Sequence, residues 1–467
     1  MKILLSGGGT LGPVTPLLGL AEYWRGRNDN VDLVWAGTTK GPEGPLIVAN
    51  DIRFISIASV KIPRYATPYW IVMPFLGLYA FIESWNLLRV ERPDVIVTAG
   101  GYVSVPLVVL GRVMGIPSWV HQQDVLPGLA NKIMSKFARR VSVTFDSSKD
   151  LFPSSKTEVT GNAVRACVAA GDRDSGFRKF NLSPDRKTIL VLGGGGGSSW
   201  INESVSALAG NLTENWQVLH ITGSDKYESV EVENPHYTVE PVIHDGMDDA
   251  YAIADVVICR AGLGTMTELA LVGKPAIVIP MPDSHQEMNA FQLFEHQAAI
   301  VVDQTETTPQ ILFNTIKHIM DDENSQMRLV ANLKLTFPKD GTKKIADGVL
   351  SLGNALANSW KRDSKKKKVV GEGRGSLKDH VDQMFGEDHG AEELEDADTG
   401  VAAGEHGSYS TDKTYEQEVS LEVPVEDDEP VGAVGMSIKE QVARALKGKT
   451  ITIEEGDEES PFEVKDL

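Results

Sequence analysis

Lys2-Ile3-Leu4-Leu5-Ser6-Gly7-Gly8-Gly9-Thr10 and, much further on, Thr188-Ile189-Leu190-Val191-Leu192-Gly193-Gly194-Gly195-Gly196-Gly197 carry one pattern twice. A short apolar run ends in a glycine cluster, and a helical pattern follows. Strands this uniformly apolar are buried on both faces, as in a parallel sheet covered by helices on either side. Glycine after such a strand lets the backbone approach an anion, and the following helix presents free N–H groups and a partial positive charge. One such turn is weak evidence. Two of them, one opening each half, predict two α/β domains facing a phosphate-bearing ligand in a shared cleft, because ligands of open α/β sheets sit at the carboxyl ends of the strands.

Working outward, strands are predicted at Lys2–Leu5, Val31–Trp35, Val95–Thr98 and Ser118–Val120, then at Thr188–Leu192, Gln217–Ile221, Val256–Ile258 and Ala276–Ile279. Helical patterns lie between them, among others at Pro16–Arg27, Gly128–Phe137 and Thr265–Val272, and a last one runs from Lys343 to Trp360. Gly161-Asn162 and the polar stretch Gly171–Arg186 separate the halves. The domains are therefore expected at 1–162 and 163–360, with 361–467 beyond them.

The 467 residues carry a net charge of −20, but the acidity is local. Residues 369–467 hold 27 Asp or Glu against 8 Lys or Arg, which leaves 38 acids and 37 bases in residues 1–368. A near-neutral body argues against nucleic acid as the ligand, since that needs a basic face. The tail is acidic, Gly-rich and poor in aromatics, and buries too little apolar surface to offset its ordering entropy, so it is predicted to be disordered. Within it Ile438, Val442, Ala445 and Leu446 share a helical face, read as a transient helix or as a partner-docking one. The basic run Lys365–Lys368 is read as a solvated charge run or as a contact for an anionic membrane. Two distant cysteines, Cys167 and Cys259, offer neither a disulfide framework nor a metal cluster. Met1–Ser6 reaches glycine after three apolar residues, too few for a signal peptide, so a cytoplasmic location is expected. The apolar stretch Pro68–Ile82 falls short of the roughly 20 residues that span a bilayer.

The segment richest in chemistry is Val256-Val257-Ile258-Cys259-Arg260-Ala261-Gly262-Leu263-Gly264-Thr265-Met266-Thr267-Glu268. A buried strand delivers Cys259-Arg260 to its end, Gly262 and Gly264 allow a close turn, and Thr265 is placed to cap the next helix. Glu268 then either completes a capping box with Thr265 or accepts the hydroxyls of a ribose while the helix N-terminus takes phosphate. The loop Pro280–Asn289 follows, rich in amides that suit sugar hydroxyls. The glycine loops lack the Gly-Lys-Ser/Thr of nucleotide triphosphatases, and no clean Gly-x-Gly-x-x-Gly with a following acid favours a dinucleotide.

The series Gly8-Gly9-Thr10 with Pro16, Gly100-Gly101-Tyr102-Val103-Ser104, His121 through Gly128-Leu129 to Asn131, Gly161-Asn162-Ala163-Val164-Arg165, Gly193-Gly194 with Asn202, Cys259-Arg260 to Glu268, and Gln286 with Asn289 resembles the bacterial MurG family. Those are the N-acetylglucosaminyltransferases of glycosyltransferase family 28 that convert lipid I to lipid II in peptidoglycan synthesis, a step tied to cell shape and division. The resemblance implies the GT-B architecture: two Rossmann-like domains facing a cleft, the second holding UDP-N-acetylglucosamine. It implies an inverting hexosyltransferase whose acceptor is an undecaprenyl-diphosphate-linked N-acetylmuramyl peptide, with no metal or cofactor. Glu268 would hold the ribose, Gly262, Gly264, Thr265, Met266 and Thr267 the diphosphate, Arg165 and the backbone of Gly195 the nucleotide, and Gln286 and Asn289 the sugar. Thr10, Leu11, Gly12 and Asp124 would complete the donor contacts. The acceptor diphosphate would meet Gly8–Gly12 and Gly100, Gly101, Tyr102 and Ser104. Trp70, Ile71, Val72, Phe75, Leu76, Leu78, Tyr79 and Phe81, with Lys61 and Arg64 upstream, form either a core helix or a patch resting on the anionic inner-membrane surface; the resemblance favours the patch. The tail is a candidate contact for cell-wall synthesis proteins, and the enzyme would be peripheral at the cytoplasmic face of the membrane.

The chain departs from the family at its chemistry. Where the family motif ends in the histidine favoured as general base, this chain reads Gly8-Gly9-Thr10-Leu11-Gly12-Pro13, and where the family has His-Glu-Gln-Asn it reads His121-Gln122-Gln123-Asp124. Proline neither takes nor gives a proton, so the base is expected to be Asp124, with His121 second. Two other readings stay open: a different UDP-sugar transferase or an epimerase on the same fold, and a catalytically silent nucleotide-sugar-binding scaffold.

Overall fold

The computed structural model describes residues 1–60, 69–243 and 245–355, with the strand pairs 449–450 and 465–466. The expectations about the tail, Lys365–Lys368 and Ser437–Leu446 lie outside the described residues, as do Lys61, Arg64 and the side chains of Trp70 and Ile71.

The first half runs β1 (Lys2–Ser6), α1 (Thr15–Gly26), β2 (Asp32–Thr38), α2 (Glu43–Ala49), β3 (Arg53–Ile57), α3 (Tyr69–Glu91), β4 (Val95–Thr98), α4 (Ser104–Met114), β5 (Ser118–Gln122), α5 (Leu129–Phe137), β6 (Arg140–Val143) and β7 (Thr157–Val159). All seven strands are parallel, in the order β3-β2-β1-β4-β5-β6-β7. The second half runs α6 (Arg173–Lys179), β8 (Thr188–Leu192), α7 (Ser199–Ala207), α8 (Ala209–Asn215), β9 (Gln217–Ile221), β10 (Tyr237–Glu240), α9 (Met247–Ile253), β11 (Ala254–Cys259), α10 (Leu263–Val272), β12 (Ala276–Val278), α11 (Gln286–Glu295), β13 (Ile300–Val301), α12 (Pro309–Asp321) and α13 (Glu323–Thr336). Its parallel sheet repeats the scheme as β10-β9-β8-β11-β12-β13. Two doubly wound halves of this kind are the GT-B fold.

Alternation along the apolar strands fills a core on each face. Ile3 and Leu5 of β1 join α1 on one side while Leu4 joins Val103, Leu107 and Val108 on the other. Ile189 and Val191 likewise face α7 and α12, and Leu190 and Leu192 face α9 and α10. The closing helix α14, residues 341–355, returns to the first half, where Ile345, Ala346 and Val349 pack with Leu17 and Trp24 of α1. The Arg27–Asp347 ion pair closes its outer edge.

The sequence pattern missed β3, β6, β7, β10 and β13. These outer strands are short or half-exposed, so they lack the continuous apolar run that marks a central strand. One helix start also moves. Helix α10 begins at Leu263 with Gly262 as its N-cap, so Thr265 lies inside the first turn and the expected Thr265–Glu268 capping box does not form. The apolar run Pro68–Ile82 belongs mainly to α3, which continues to Glu91 with Pro74 inside it. Among the described residues no helix is long and apolar enough to cross a membrane.

Candidate functional site

In each sheet the strand order reverses beside the glycine loop, between β1 and β4 in one half and between β8 and β11 in the other. The crevice outside such a switch point is where open α/β sheets bind ligands. The loop after β1 is held in shape from below. Gly9 sits at φ +82°, and a Cβ there would lie 2.8 Å from the Tyr102 ring. Trp35 Nε1 donates to the Gly7 carbonyl at 3.0 Å. Beneath the loop lies Glu43, fully buried. Its Oε1 accepts from the Thr38 N–H and hydroxyl at 2.6 Å each, and its Oε2 accepts from the Gly9 N–H at 3.2 Å. The Gly9 donor therefore already has an anionic partner. In the companion loop Gly101 and Tyr102 are half-buried, but Ser104 is not available to a ligand: it is fully buried, with Oγ 2.9 Å from Ser6 Oγ and accepting from Thr98 Oγ1 at 3.0 Å. That corrects its expected place in the acceptor site.

The end of β5 and the loop after it hold His121, Gln122, Gln123 and Asp124. His121 is buried, its Nδ1 2.9 Å from Ser142 Oγ and its Nε2 2.9 Å from Asn162 Oδ1. The Asn162 oxygen only accepts, so the network assigns the proton to Nε2. Burial lowers the imidazole to about 4. With both nitrogens engaged, His121 has no free base for a substrate, which corrects its expected catalytic role. Gln122 braces the turn by donating to the Asp124 and Leu126 carbonyls, and Gln123 Nε2 reaches Gly12 O at 3.0 Å. Asp124 is left with a third of its side chain exposed.

In the second half the loop Gly193–Gly197 crosses the end of β8. Gly197 sits at φ +69°, and a Cβ there would lie 2.0 Å from the Thr222 carbonyl, so no other residue fits. Arg260 ties this loop to its neighbours, donating to Ser198 Oγ at 2.7 Å, to the Ile279 and Pro280 carbonyls and to Gln304 Oε1. After β11, Gly262, Gly264 and Thr265 stay partly open at the start of α10. Met266 and Thr267 turn into the core: Met266 is fully buried, and Thr267 Oγ1 bonds to Leu263 O and Asn162 Nδ2. Whatever these two residues offer a diphosphate therefore comes from the backbone of the turn, as the Gly262–Thr267 reading has it.

Glu268 is buried one helical turn further on. Its Oε1 accepts from Arg165 Nη2 at 2.7 Å and Nε at 3.2 Å, and its Oε2 accepts from the Tyr251 hydroxyl at 2.9 Å. Burial and then the Glu268 charge hold the Tyr251 hydroxyl well above its ordinary range, so it remains a donor. Sequence reading missed Tyr251 because nothing local distinguishes it from a core aromatic. Gln286 is half-buried on the first turn of α11, its Oε1 accepting from Met281 N.

Asn289 bridges the halves. It is fully buried, accepts from the Val125 N–H at 3.0 Å, and donates to Asp124 Oδ1 at 2.9 Å and to the Ala261 carbonyl at 3.1 Å. It joins the Asp124 loop to the second half, both amide hydrogens are engaged, and one lone pair of Oδ1 stays free. The halves also meet where a Cβ on Gly195 would lie 3.1 Å from Leu11 Cδ1, and where one on Gly264 would lie 2.9 Å from Thr15 Oγ1. Asp124 thus stands where both switch-point loops converge.

Residues 3–143 match the glycosyltransferase family 28 N-terminal domain, and residues 188–345 the glycosyltransferase family 28 C-terminal domain. The chain is similar to the UDP-N-acetylglucosamine–N-acetylmuramyl-(pentapeptide) pyrophosphoryl-undecaprenol N-acetylglucosamine transferase of Nocardioides sp. strain JS614, 36% identical over 76% of this chain and 98% of that one. The enzyme of the same name from Bacillus subtilis strain 168 is 34% identical over 74% of this chain and 98% of its own. Among solved structures, Acinetobacter baumannii MurG shares the fold with a TM-score of 0.56 at 23% identity, over 75% of this chain and 99% of that one.

Proposed function

The chain belongs to the MurG family of glycosyltransferases, and on that premise we propose that it transfers N-acetylglucosamine from UDP-N-acetylglucosamine to the lipid-linked N-acetylmuramyl peptide, converting lipid I to lipid II. The observation that carries the mechanism is the Asp124–Asn289 contact, which seats a carboxylate of the acceptor half at the mouth of the donor half. The acceptor's 4-hydroxyl oxygen attacks the anomeric carbon from the face opposite UDP, and its proton passes to Asp124. The bond from that carbon to the phosphate oxygen breaks, and its electron pair leaves on UDP. The partly open first turn of α10 presents Leu263, Gly264 and Thr265 N–H groups to that developing charge, a preorganised stabilisation that needs no metal. A carboxylate offers about four lone-pair sites. Glu268 spends three on Arg165 and Tyr251, so it holds one ribose hydroxyl rather than two. Arg165 and Gln286 face the same donor.

The acceptor diphosphate lies against the exposed Thr10–Gly12 segment and the Gly100–Tyr102 turn. Helix α3 supports action at the inner face of the membrane, since Phe75, Leu78, Tyr79 and Ile82 expose a continuous apolar stripe there.

The test is product formation from labelled UDP-N-acetylglucosamine with and without lipid I. Transfer that requires lipid I supports the reading. Sugar isomerisation without acceptor would replace it with an epimerase, and binding without turnover with a scaffold. Asp124→Asn keeps an oxygen for Asn289 but cannot hold the proton, so kcat should fall about 10²–10⁴-fold with an unchanged Kd for the donor. Full turnover in that variant would remove Asp124 from the mechanism.

A further inference from the structure

Most titratable side chains around the cleft mouth are already committed. His121 has both ring nitrogens bonded inside the first half, Glu43 is buried under three hydrogen bonds, and Glu268 is shared between Arg165 and Tyr251. Pro13 offers no proton chemistry. Asp124 itself is only half used: Oδ1 accepts from Asn289, while Oδ2 points to a second group from the opposite half. That group is His285, whose Nε2 lies 3.9 Å from Oδ2. The ring sits at the N-cap of α11 with about half of its side chain exposed, so it opens to the cleft on one side and to solvent on the other.

We propose that His285 is the proton-accepting partner of Asp124, forming with it a two-residue base that spans the halves. This rests on the transferase reading above. Asp124 Oδ2 takes the proton from the acceptor hydroxyl as that oxygen bonds to the anomeric carbon. The proton then passes to the lone pair of a neutral His285 Nε2, restoring the carboxylate, and leaves from the exposed ring to water. No electrons change hands, and the only leaving group is UDP. A side-chain carboxylate is ordinarily a weak base, at about 3.9 against about 6.5 for imidazole, so handing the proton on makes deprotonation of a sugar hydroxyl less costly. The 3.9 Å gap closes with a small rotation of a half-exposed ring, as catalytic hydrogen bonds often tighten only around substrate. The pair also depends on closure, because Asn289, which fixes Asp124, and His285 belong to one helix of the donor half. The other charged groups around the ring are acidic: Asp283 just before it and Glu287 just after, the latter holding the Asp283 N–H at 3.2 Å.

His285 acts through Asp124 and is a positioning residue for the proton. The test compares kcat against pH, from 4.5 to 8.5, for the full-length enzyme and His285→Gln with lipid I in detergent, with donor affinity measured by calorimetry. The wild-type profile should show an acid limb that depends on His285. In H285Q, kcat near neutrality should fall about 10-fold or more, the limb should move towards the carboxylate range, and donor Kd should stay put. Adding H285Q to Asp124→Asn should cost nothing further, because the two act as a unit. An H285Q enzyme with wild-type kcat and an unmoved acid limb overturns the proposal, as does additive loss in the double variant. Lost donor binding in H285Q, which would signal misfolding, leaves the double-variant comparison to be read in His285→Asn instead. Absence of any wild-type transfer would overturn the transferase reading and the pair together.

Discussion

Glu43 shows how a single buried side chain sets the glycine loop after β1. Its two oxygens satisfy the backbone donors of Thr38 and Gly9, joining the end of β2 to the turn after β1. Removing them in Glu43→Ala strands the buried Thr38 N–H, and an orphaned buried donor costs about 1–3 kcal/mol, while the half-buried Gly9 N–H turns to water. The variant should therefore lose about 1–3 kcal/mol in urea unfolding, and its acceptor KM should rise more than its donor KM because only the first half's loop is disturbed. A stability within about 0.5 kcal/mol of the parent, the usual effect of a surface change, would mean the carboxylate is not the brace. Lys40-Gly41-Pro42-Glu43-Gly44 reads as an exposed turn, and no local pattern says that chain folding will close over its carboxylate. The same gap between residue type and side-chain direction affected other residues. The side chains of Ser104, Met266, Thr267 and Asn289 turn into the protein, and Arg165 and Glu268, which the sequence assigns separately to the donor, form an ion pair that no local pattern announces.

Among the elements, α3 departs furthest from an ordinary surface helix. Ala80, Ser84, Leu87 and Leu88 form its buried side, and on the outer side Val72, Phe75, Leu78, Tyr79 and Ile82 expose half or more of their surface. A soluble surface would be expected to carry polar residues there. Each large apolar side chain transferred from water contributes about 1.5–3 kcal/mol, so replacing two with aspartate removes most of the attraction. Phe75→Asp with Leu78→Asp should abolish flotation with vesicles containing anionic lipid while leaving donor affinity intact, since the face is remote from α10. Unchanged flotation would end the membrane assignment. The elements legible in the sequence were those whose physics is local: β1, β4 and β8 are nearly continuous apolar runs, and the two glycine turns mark where strands give way to helices. The outer strands β3 and β10 are held by pairing with a neighbour already in place, a long-range cause that leaves little trace in their own residues.

At the scale of the whole molecule, the two halves repeat a sheet order and a buried histidine network as well. His121 joins Asn162 to Ser142 in the first, and His220 joins Asn202 to the Tyr237 hydroxyl in the second, at 3.1 and 2.7 Å. Burial lowers each imidazole from 6.5 to about 4. Between those values the unfolded chain binds protons that the folded chain refuses, so stability rises with pH across the window and is lost as pH falls from about 6.5 towards 4. At 1.36 kcal/mol per unit, each site withdraws about 3 kcal/mol by the foot of the window. Carboxylates held low by cations, such as Glu91 beside Arg53 and Lys2, withdraw their share only below the ordinary carboxylate range. The two histidines therefore dominate the limb from pH 6.5 to about 4.5, with Glu287, which burial holds above its ordinary value, working against them near its foot. The urea midpoint should be flat between about pH 7 and 8, below the range where the buried Cys259 thiol comes into play, and fall through that limb, in both halves at once because each carries one site. His220→Gln keeps a donor for Asn202 and an acceptor for Tyr237 but cannot be protonated, so it should remove about half of the slope whatever it does to the plateau. A variant with the parental slope would show that His220 is already charged in the folded protein, and that the hydrogen-bond chain under β9 has a different proton arrangement from its counterpart under β5.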